Sequence, residues 1–368
     1  MIRVAIVGCG RMGENHCRIV KELQEVSIVG AVDPNLDRAK ALAAGYAVEQ
    51  AAAHLDELLA RTHIDAVHIL TPPPTHAPLA CTALQAGCHV LVEKPMALTV
   101  VEATRMLDAA TQHHRILTVG HNHLFESAVR EAHARVAQGR LGRLVGLDVF
   151  HGCLPGSPPW VADLPSGPWI NDMSHPLYLS ELFLGEPLTI RAVGHPPAGR
   201  QKVREVRAVA QHAEGVSTLT LSTDAAPFRH KITLFGTHRT LEVDLIHEIL
   251  VETRPFGGHR WMRKGRAVLD VSTQLLVGAG RNAYQVLAGQ GRGWQGLRAL
   301  IQAFYTAIQT GGPSPVPATQ GLRVVTYLEE ISRQLMAMPD PVQDAVGKTR
   351  DNALSACRTE TDKWIGQL

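Results

Sequence analysis

Residues 1–16 read Met1-Ile-Arg-Val-Ala-Ile-Val-Gly-Cys-Gly-Arg-Met-Gly-Glu-Asn-His16, and this stretch decides how the first half of the chain folds. Ile2, Val4, Ala5, Ile6 and Val7 form a short apolar run with β-branched residues, the composition of a central parallel strand covered on both faces. Gly8, Gly10 and Gly13 follow in G-x-G-x-x-G spacing. In such a strand-to-helix turn the first glycine permits the tight turn, the second admits a pyrophosphate to the backbone, and the third lets helix and strand pack closely. The helix that opens there presents unpaired N–H groups and a positive dipole end to the phosphate. Gly8, Gly10, Arg11, Met12 and Gly13 are therefore candidate cofactor-binding residues.

Three glycines alone carry little weight, because any strand-to-helix turn can use them. A second apolar strand, Val26-Ser-Ile-Val-Gly-Ala-Val32, ends at Asp33, 20 residues after Gly13. That is about the offset at which an acid meets the ribose hydroxyls of a bound dinucleotide. A carboxylate there would repel the 2′-phosphate of NADP, so NAD is the expected cofactor and NADP the lesser alternative; Arg38 tempers the preference.

Composition sets outer limits. A chain of 368 residues implies about two domains. Hydrophobic residues at 45% and charged residues at 19% belong to an ordinary globular protein that buries a substantial core. A formal charge of +2 with no block of like charges implies neither nucleic acid nor an anionic membrane as partner. The N-terminal apolar run is too short for a signal peptide and no run of 18 apolar residues exists, so the expected location is the cytoplasm. Six scattered cysteines without C-x-x-C pairing fit reduced thiols. Among the 19 histidines, His121 and His123 would share a face of an extended segment, but no third ligand stands at a telling spacing, so no metal site is expected.

Farther along, Asp65-Ala-Val-His-Ile-Leu-Thr71 reads as a buried strand, followed by a rigid loop, Thr71-Pro-Pro-Pro-Thr-His76, and a helix stopped by Gly87. Ligands of open α/β sheets bind at the carboxyl ends of strands, so Thr71 and His76 are candidates for the nicotinamide end of the groove. An equally good reading makes His76 an ordinary first-turn residue. The strand from His89 ends in Glu93-Lys94-Pro95, and a lysine at that end points its amine toward the crevice, where it can hold a substrate hydroxyl. Thr99 and Glu102 form a capping box for the next helix, and Arg115 to Gly120 is the last strand of the first half.

With these residues in place, the chain resembles the glucose–fructose oxidoreductase, inositol dehydrogenase and MocA-like (Gfo/Idh/MocA) family. The resemblance is carried by Gly8-x-Gly10-x-x-Gly13-x-x-His16, Asp33, Thr71-Pro-Pro-Pro-Thr-His76, Glu93-Lys94-Pro95 and His175 in a helix ending at Leu184-Gly185-Glu186-Pro187. It implies an α/β Rossmann domain, taken as 1–120, followed by an α+β domain with a large, mostly antiparallel sheet, taken as 121–368. It implies NAD(P)-linked oxidation or reduction of a sugar, cyclitol or related polyol. Lys94 would be catalytic with a downstream Asp and His, Glu93 would join the cofactor site, and the open sheet face would make a homodimer or homotetramer. Three departures stand out: His123 and Leu124 occupy positions where arginines are common, the loop Cys153-Leu-Pro-Gly-Ser-Pro-Pro-Trp160 before the catalytic helix is unusually rich in proline, and the acid usual four residues before the histidine is Asn171, with Asp172 one residue later.

The second half agrees on independent grounds. A helix from Glu126 to Gln138 is followed by strand patterns at 143–151, 203–212, 216–222, 231–235, 240–245 and 249–253. Residues 278–296, rich in Gly, Gln and Arg, read as a flexible loop. Helices follow at 297–310 and 320–336, the last packing back on the first half. Pro176 belongs in the first turn of a helix, which places the start of the 174–184 helix near Ser174. His175 then lies at the positive helix end, which favours the neutral imidazole of a general base, with Lys94 stabilising the substrate oxygen. Either Asp172 orients His175, three residues being neighbours on a helix, or Asn171 does so more weakly. Trp160 and Trp169 are either stacking surfaces for a substrate ring or core; Lys94, Asn171, His175 and Trp160 make the candidate substrate contacts. The expected function is NAD-dependent hydride transfer at a secondary alcohol of a sugar or polyol. Two other readings stay open: a lyase or glycosidase using transient oxidation without net redox, and a non-catalytic NAD-binding sensor.

Overall fold

The computed structural model describes residues 1–152, 158–195, 203–288 and 294–337. Six parallel strands form the first sheet: β1 (Ile2–Val7), β2 (Val26–Val32), β3 (Gln50–Ala52), β4 (Ala66–Ile69), β5 (His89–Val92) and β6 (Leu117–Val119), in the order β3-β2-β1-β4-β5-β6. Helices cover both faces, so β4 is buried at every residue and β1 at all but Arg3, as near-continuous apolar strands require. Each fully buried Val or Ile contributes about 1.5–3 kcal/mol relative to exposure. The order reverses between β1 and β4, where open α/β sheets bind their ligands. Val7 pairs with Ile69 and Ile69 with Val92, so Gly8, Thr71 and Lys94 leave the sheet along one edge.

Seven strands form the second sheet: β7 (Leu144–Gly152), β8 (Thr189–His195), β9 (Glu205–Gln211), β10 (Val216–Ser222), β11 (His230–Gly236), β12 (Thr240–Asp244) and β13 (Ile249–Thr253). Their order is β13-β12-β11-β7-β10-β9-β8, antiparallel except for the β7–β10 pair. In β10, Ser217, Leu219 and Leu221 face inward and Val216 and Thr218 outward, the period-2 pattern of a half-buried sheet. The inner face packs on the Ser174–Leu184 helix and, through β8, on the Ala318–Met336 helix; this last helix also lies on the Val100–Gln112 helix of the first half, as the sequence suggests. On the outer face Val145, Val193, Val209 and Val216 are 39 to 57% exposed.

One stretch departs from expectation. Residues 278–287, read as flexible loop, belong to a 28-residue helix, Arg260–Leu287; residues 289–293 of that stretch lie outside the described residues. The helix runs beside the edge strand β13 and satisfies its backbone with side chains. Gln274 accepts from the Glu252 N–H at 2.8 Å and donates to its carbonyl at 2.9 Å, and Arg281 donates to the Glu248 carbonyl at 2.8 Å. Partners on a strand elsewhere in the chain outweigh the weak local helix propensity of a glycine-rich segment.

Candidate functional site

The glycine turn has the shape that a dinucleotide needs. Gly8 has φ +100°, and a side chain there would meet the Leu70 carbonyl at 2.8 Å. A Cβ on Gly13 would lie 2.3 Å from the Gly8 oxygen, whereas one on Gly10 would meet nothing within 4 Å. The first and third glycines thus close the turn and the second leaves open space for a phosphate. Asp33 is buried with both oxygens held by backbone donors, Cys9 N–H at 3.0 Å and Asn35 N–H at 2.9 Å. Arg11 is exposed and Met12 half-buried at the start of the following helix.

His76 opens the His76–Gln85 helix, and its ring lies between two loops. The ring is fully buried, with Nε2 facing the Thr71 carbonyl at 2.8 Å and Nδ1 the Pro95 carbonyl at 2.9 Å. It ties the Thr71 loop to the Glu93-Lys94-Pro95 turn, whose Lys94–Pro95 bond is cis. Thr71 itself is half-buried and its hydroxyl accepts from Thr75 at 2.7 Å. Glu93 Oε2 accepts the Lys94 N–H at 3.2 Å, and Oε1 lies 3.7 Å from His16 Nε2. Burial raises the Glu93 pKa, but His16 and Lys94 outweigh it and leave the carboxyl below its usual range.

Lys94 Nζ donates to Asp172 Oδ1 at 2.6 Å and to the Asn171 carbonyl at 3.0 Å, so the turn after β5 and the short helix Trp169–Asp172 meet at one ion pair. The Asn171 side chain donates to the same Asp172 oxygen at 3.0 Å. His175 Nε2 stands 3.9 Å from it, while His175 Nδ1 pairs with the Tyr178 hydroxyl at 2.6 Å. The contact that fixes the His175 ring therefore comes from Tyr178, which sequence reasoning did not single out. Its i+3 spacing on the Ser174–Leu184 helix is the signal that was there to read. Burial first, then Lys94 and the neighbouring imidazoles, hold His175 well below its ordinary pKa, so the ring is neutral.

Three further histidines crowd this ring: His123 from the Asn122–Phe125 turn, His151 on β7 and His230 on β11. His123 and His151 lie with centroids 4.6 and 4.9 Å from His175, and His151 and His230, opposite one another in register, are 4.3 Å apart. His123 Nδ1, His151 Nδ1 and His230 Nε2 are buried without hydrogen-bond partners among the described residues. Burial pushes His151 down to about 3 and His230 well below the usual range. Donor atoms of His151, Asp172 and His175 lie within 4.8 Å of one another. These three form a histidine and carboxylate group that the sequence spacing does not reveal, and in it the Lys94 ammonium lies on Asp172 Oδ1. Trp169 is core, fully buried with its N–H on the Ser166 carbonyl, and Trp160 is half-buried against the same core.

Residues 2–121 match a family model described as oxidoreductase family, NAD-binding Rossmann fold, and residues 129–242 match the Gfo/Idh/MocA C-terminal domain. The chain is 29% identical over 197 residues to inositol 2-dehydrogenase 4 of Saccharopolyspora erythraea, covering 53% of this chain and 57% of that one. It is 32% identical over 194 residues to UDP-N-acetylglucosamine 3-dehydrogenase of Acidithiobacillus ferrooxidans, covering 52% and 58%. The alignments thus span little more than half the length of these relatives. In fold it is similar to the WlbA dehydrogenase of Bordetella pertussis, solved with NADH and UDP-GlcNAcA, with TM-score 0.74, 21% identity and coverage of 90% and 95%. Matched in both its halves, the chain belongs to the Gfo/Idh/MocA oxidoreductase family.

Proposed function

We propose that the protein is an NAD-dependent dehydrogenase or reductase acting on a CH–OH group of a neutral sugar or polyol. The observation that carries this reading is the joining of Lys94, Asp172 and His175 at the carboxyl edge of the strands that also present the glycine turn. Gly8, Gly10, Gly13, Asp33 and Glu93 would hold NAD, and NAD supplies the hydride acceptor or donor. With Nδ1–H donated to the Tyr178 oxygen, His175 Nε2 carries a lone pair and takes the hydroxyl proton during oxidation. Lys94 stabilises the charge developing on that oxygen, and Asp172 compensates Lys94. His123, His151 and His230 offer buried imidazole nitrogens without hydrogen-bond partners among the described residues, which suits the hydroxyls of a sugar or polyol ring.

Purified protein mixed with NAD and a panel of sugars and polyols is expected to form NADH, read by absorbance. Turnover without NADH would replace this reading with a lyase or glycosidase. Asp33 makes NAD the expected cofactor, and tighter binding of NADP in a titration would overturn that choice. The outer valines of the second sheet form an apolar face that a second copy would cover. A dimeric or tetrameric mass in light scattering at micromolar concentration is expected, and a monomeric mass would refute it.

A further inference from the structure

His16 is the one element of the N-terminal motif that the proposed chemistry leaves without a task, and it begins a buried line of polar groups. His16 Nδ1 lies 2.8 Å from His68 Nδ1, and His68 Nε2 lies 2.9 Å from the Tyr305 hydroxyl. At the other end, His16 Nε2 faces Glu93 Oε1 at 3.7 Å, beyond hydrogen-bond length but within ion-pair range. Both imidazoles are fully buried and Tyr305 is 3% exposed. The four residues come from four elements: the Arg11–Val20 helix, β4, the turn after β5 and the Gln295–Thr310 helix.

With both rings neutral, two orders of protons serve the hydrogen bonds at 2.8 and 2.9 Å, and only one of them gives the tyrosine proton an acceptor and turns an N–H rather than a lone pair toward Glu93. If Tyr305 donates to His68 Nε2, then His68 carries its proton on Nδ1 and donates to His16 Nδ1. His16 in turn carries its proton on Nε2 and directs an N–H at the Glu93 carboxylate. The reverse order would aim a ring lone pair at that carboxylate and leave the tyrosine proton without an acceptor in the line. We infer that Tyr305, His68 and His16 form a buried donor chain of fixed polarity that turns the His16 Nε2–H toward the Glu93 carboxylate at the cofactor crevice. Glu93 also accepts the Lys94 N–H, so the chain acts through Glu93 on the placement of Lys94, and Tyr305, His68 and His16 are positioning residues. The groups that face Glu93 are His16, Lys94, His76, His121 and Tyr178. Its link to the cofactor rests on the dinucleotide reading above; its polarity does not.

The test is nitrogen NMR of the full chain carrying ¹⁵N-histidine, with NAD alone as probe. The native spectrum is expected to show His68 protonated at Nδ1 only and His16 at Nε2 only. His68 protonated at Nε2, or His16 protonated at both nitrogens, would overturn the chain without any variant. In Tyr305→Phe the donor is lost while the ring remains. His68 is expected to lose its Nδ1–H preference, and NAD affinity to fall about tenfold on the acid side and converge with the native value on the alkaline side, as weaker support of the ionised Glu93 carboxylate requires. An equal loss of affinity at every pH would mark a merely structural role and refute the positioning. Native protein that shows these tautomers but binds no NAD would refute the dinucleotide reading and leave the chain standing.

Discussion

Lys94→Ala lowers turnover by about 10²-fold or more while NAD binding changes little, the effect expected when a group that acts on the reacting oxygen is removed. His175→Ala does the same, because no other imidazole in the cluster combines an Nδ1 held by a hydroxyl with an Nε2 turned toward Asp172. Asp172→Asn leaves the Lys94 ammonium, whose side chain is only 14% exposed, without its carboxylate, and it is expected to cost more than Asn171→Ala. The Asn171 carbonyl, which also binds Lys94, survives the alanine change. Turnover measured on whichever panel substrate yields NADH decides the matter. A Lys94→Ala enzyme at near-native rate would remove the mechanism, and an unaffected Asp172→Asn would remove only the compensating role.

The second large effect is loss of stability in acid. Burial holds His121 and His151 down to about 3 and keeps His68, His175 and His230 well below the ordinary value, so all five are neutral in the folded chain. Unfolded, each titrates near 6.5, so below that value the unfolded chain binds more protons and stability falls as pH falls. Above about 6.5 these groups make no difference between the two states. One unit lower, at about pH 5.5, each such histidine costs about 1.4 kcal/mol, so His121 and His151 together cost about 3 kcal/mol. The other three add in the same direction. Against a total of about 5–15 kcal/mol this is a large fraction. Urea unfolding followed from about pH 7 to about pH 5 is expected to show a steadily falling midpoint, and His121→Phe to flatten that fall. A midpoint that stays level over the range would show that these rings are not buried neutral.

The turn at Gly8 to Gly13, the strand ending at Asp33 and the Glu93-Lys94-Pro95 turn were legible because their demands are local. A positive φ, a close helix–strand approach or a near-continuous apolar run is written into neighbouring residues. The start of the His175 helix was legible for the same reason, since Pro176 tolerates only the first turn. The long helix at 260–287 was not, because the groups that hold it belong to β13 rather than to itself.

By itself, then, the sequence determined the parallel nucleotide-binding sheet, the mostly antiparallel second sheet and the identity of Lys94 and His175 as the residues to watch. Tertiary structure alone decided the rest of the site. That Asp172 serves Lys94, that His123, His151 and His230 surround His175, and that His16 reaches His68 and Tyr305 all depend on contacts between elements as many as 237 residues apart. Side-chain periodicity reports which face of an element is buried, not which other element it will meet, and these partnerships arise only when the two sheets and the C-terminal helices close on one another.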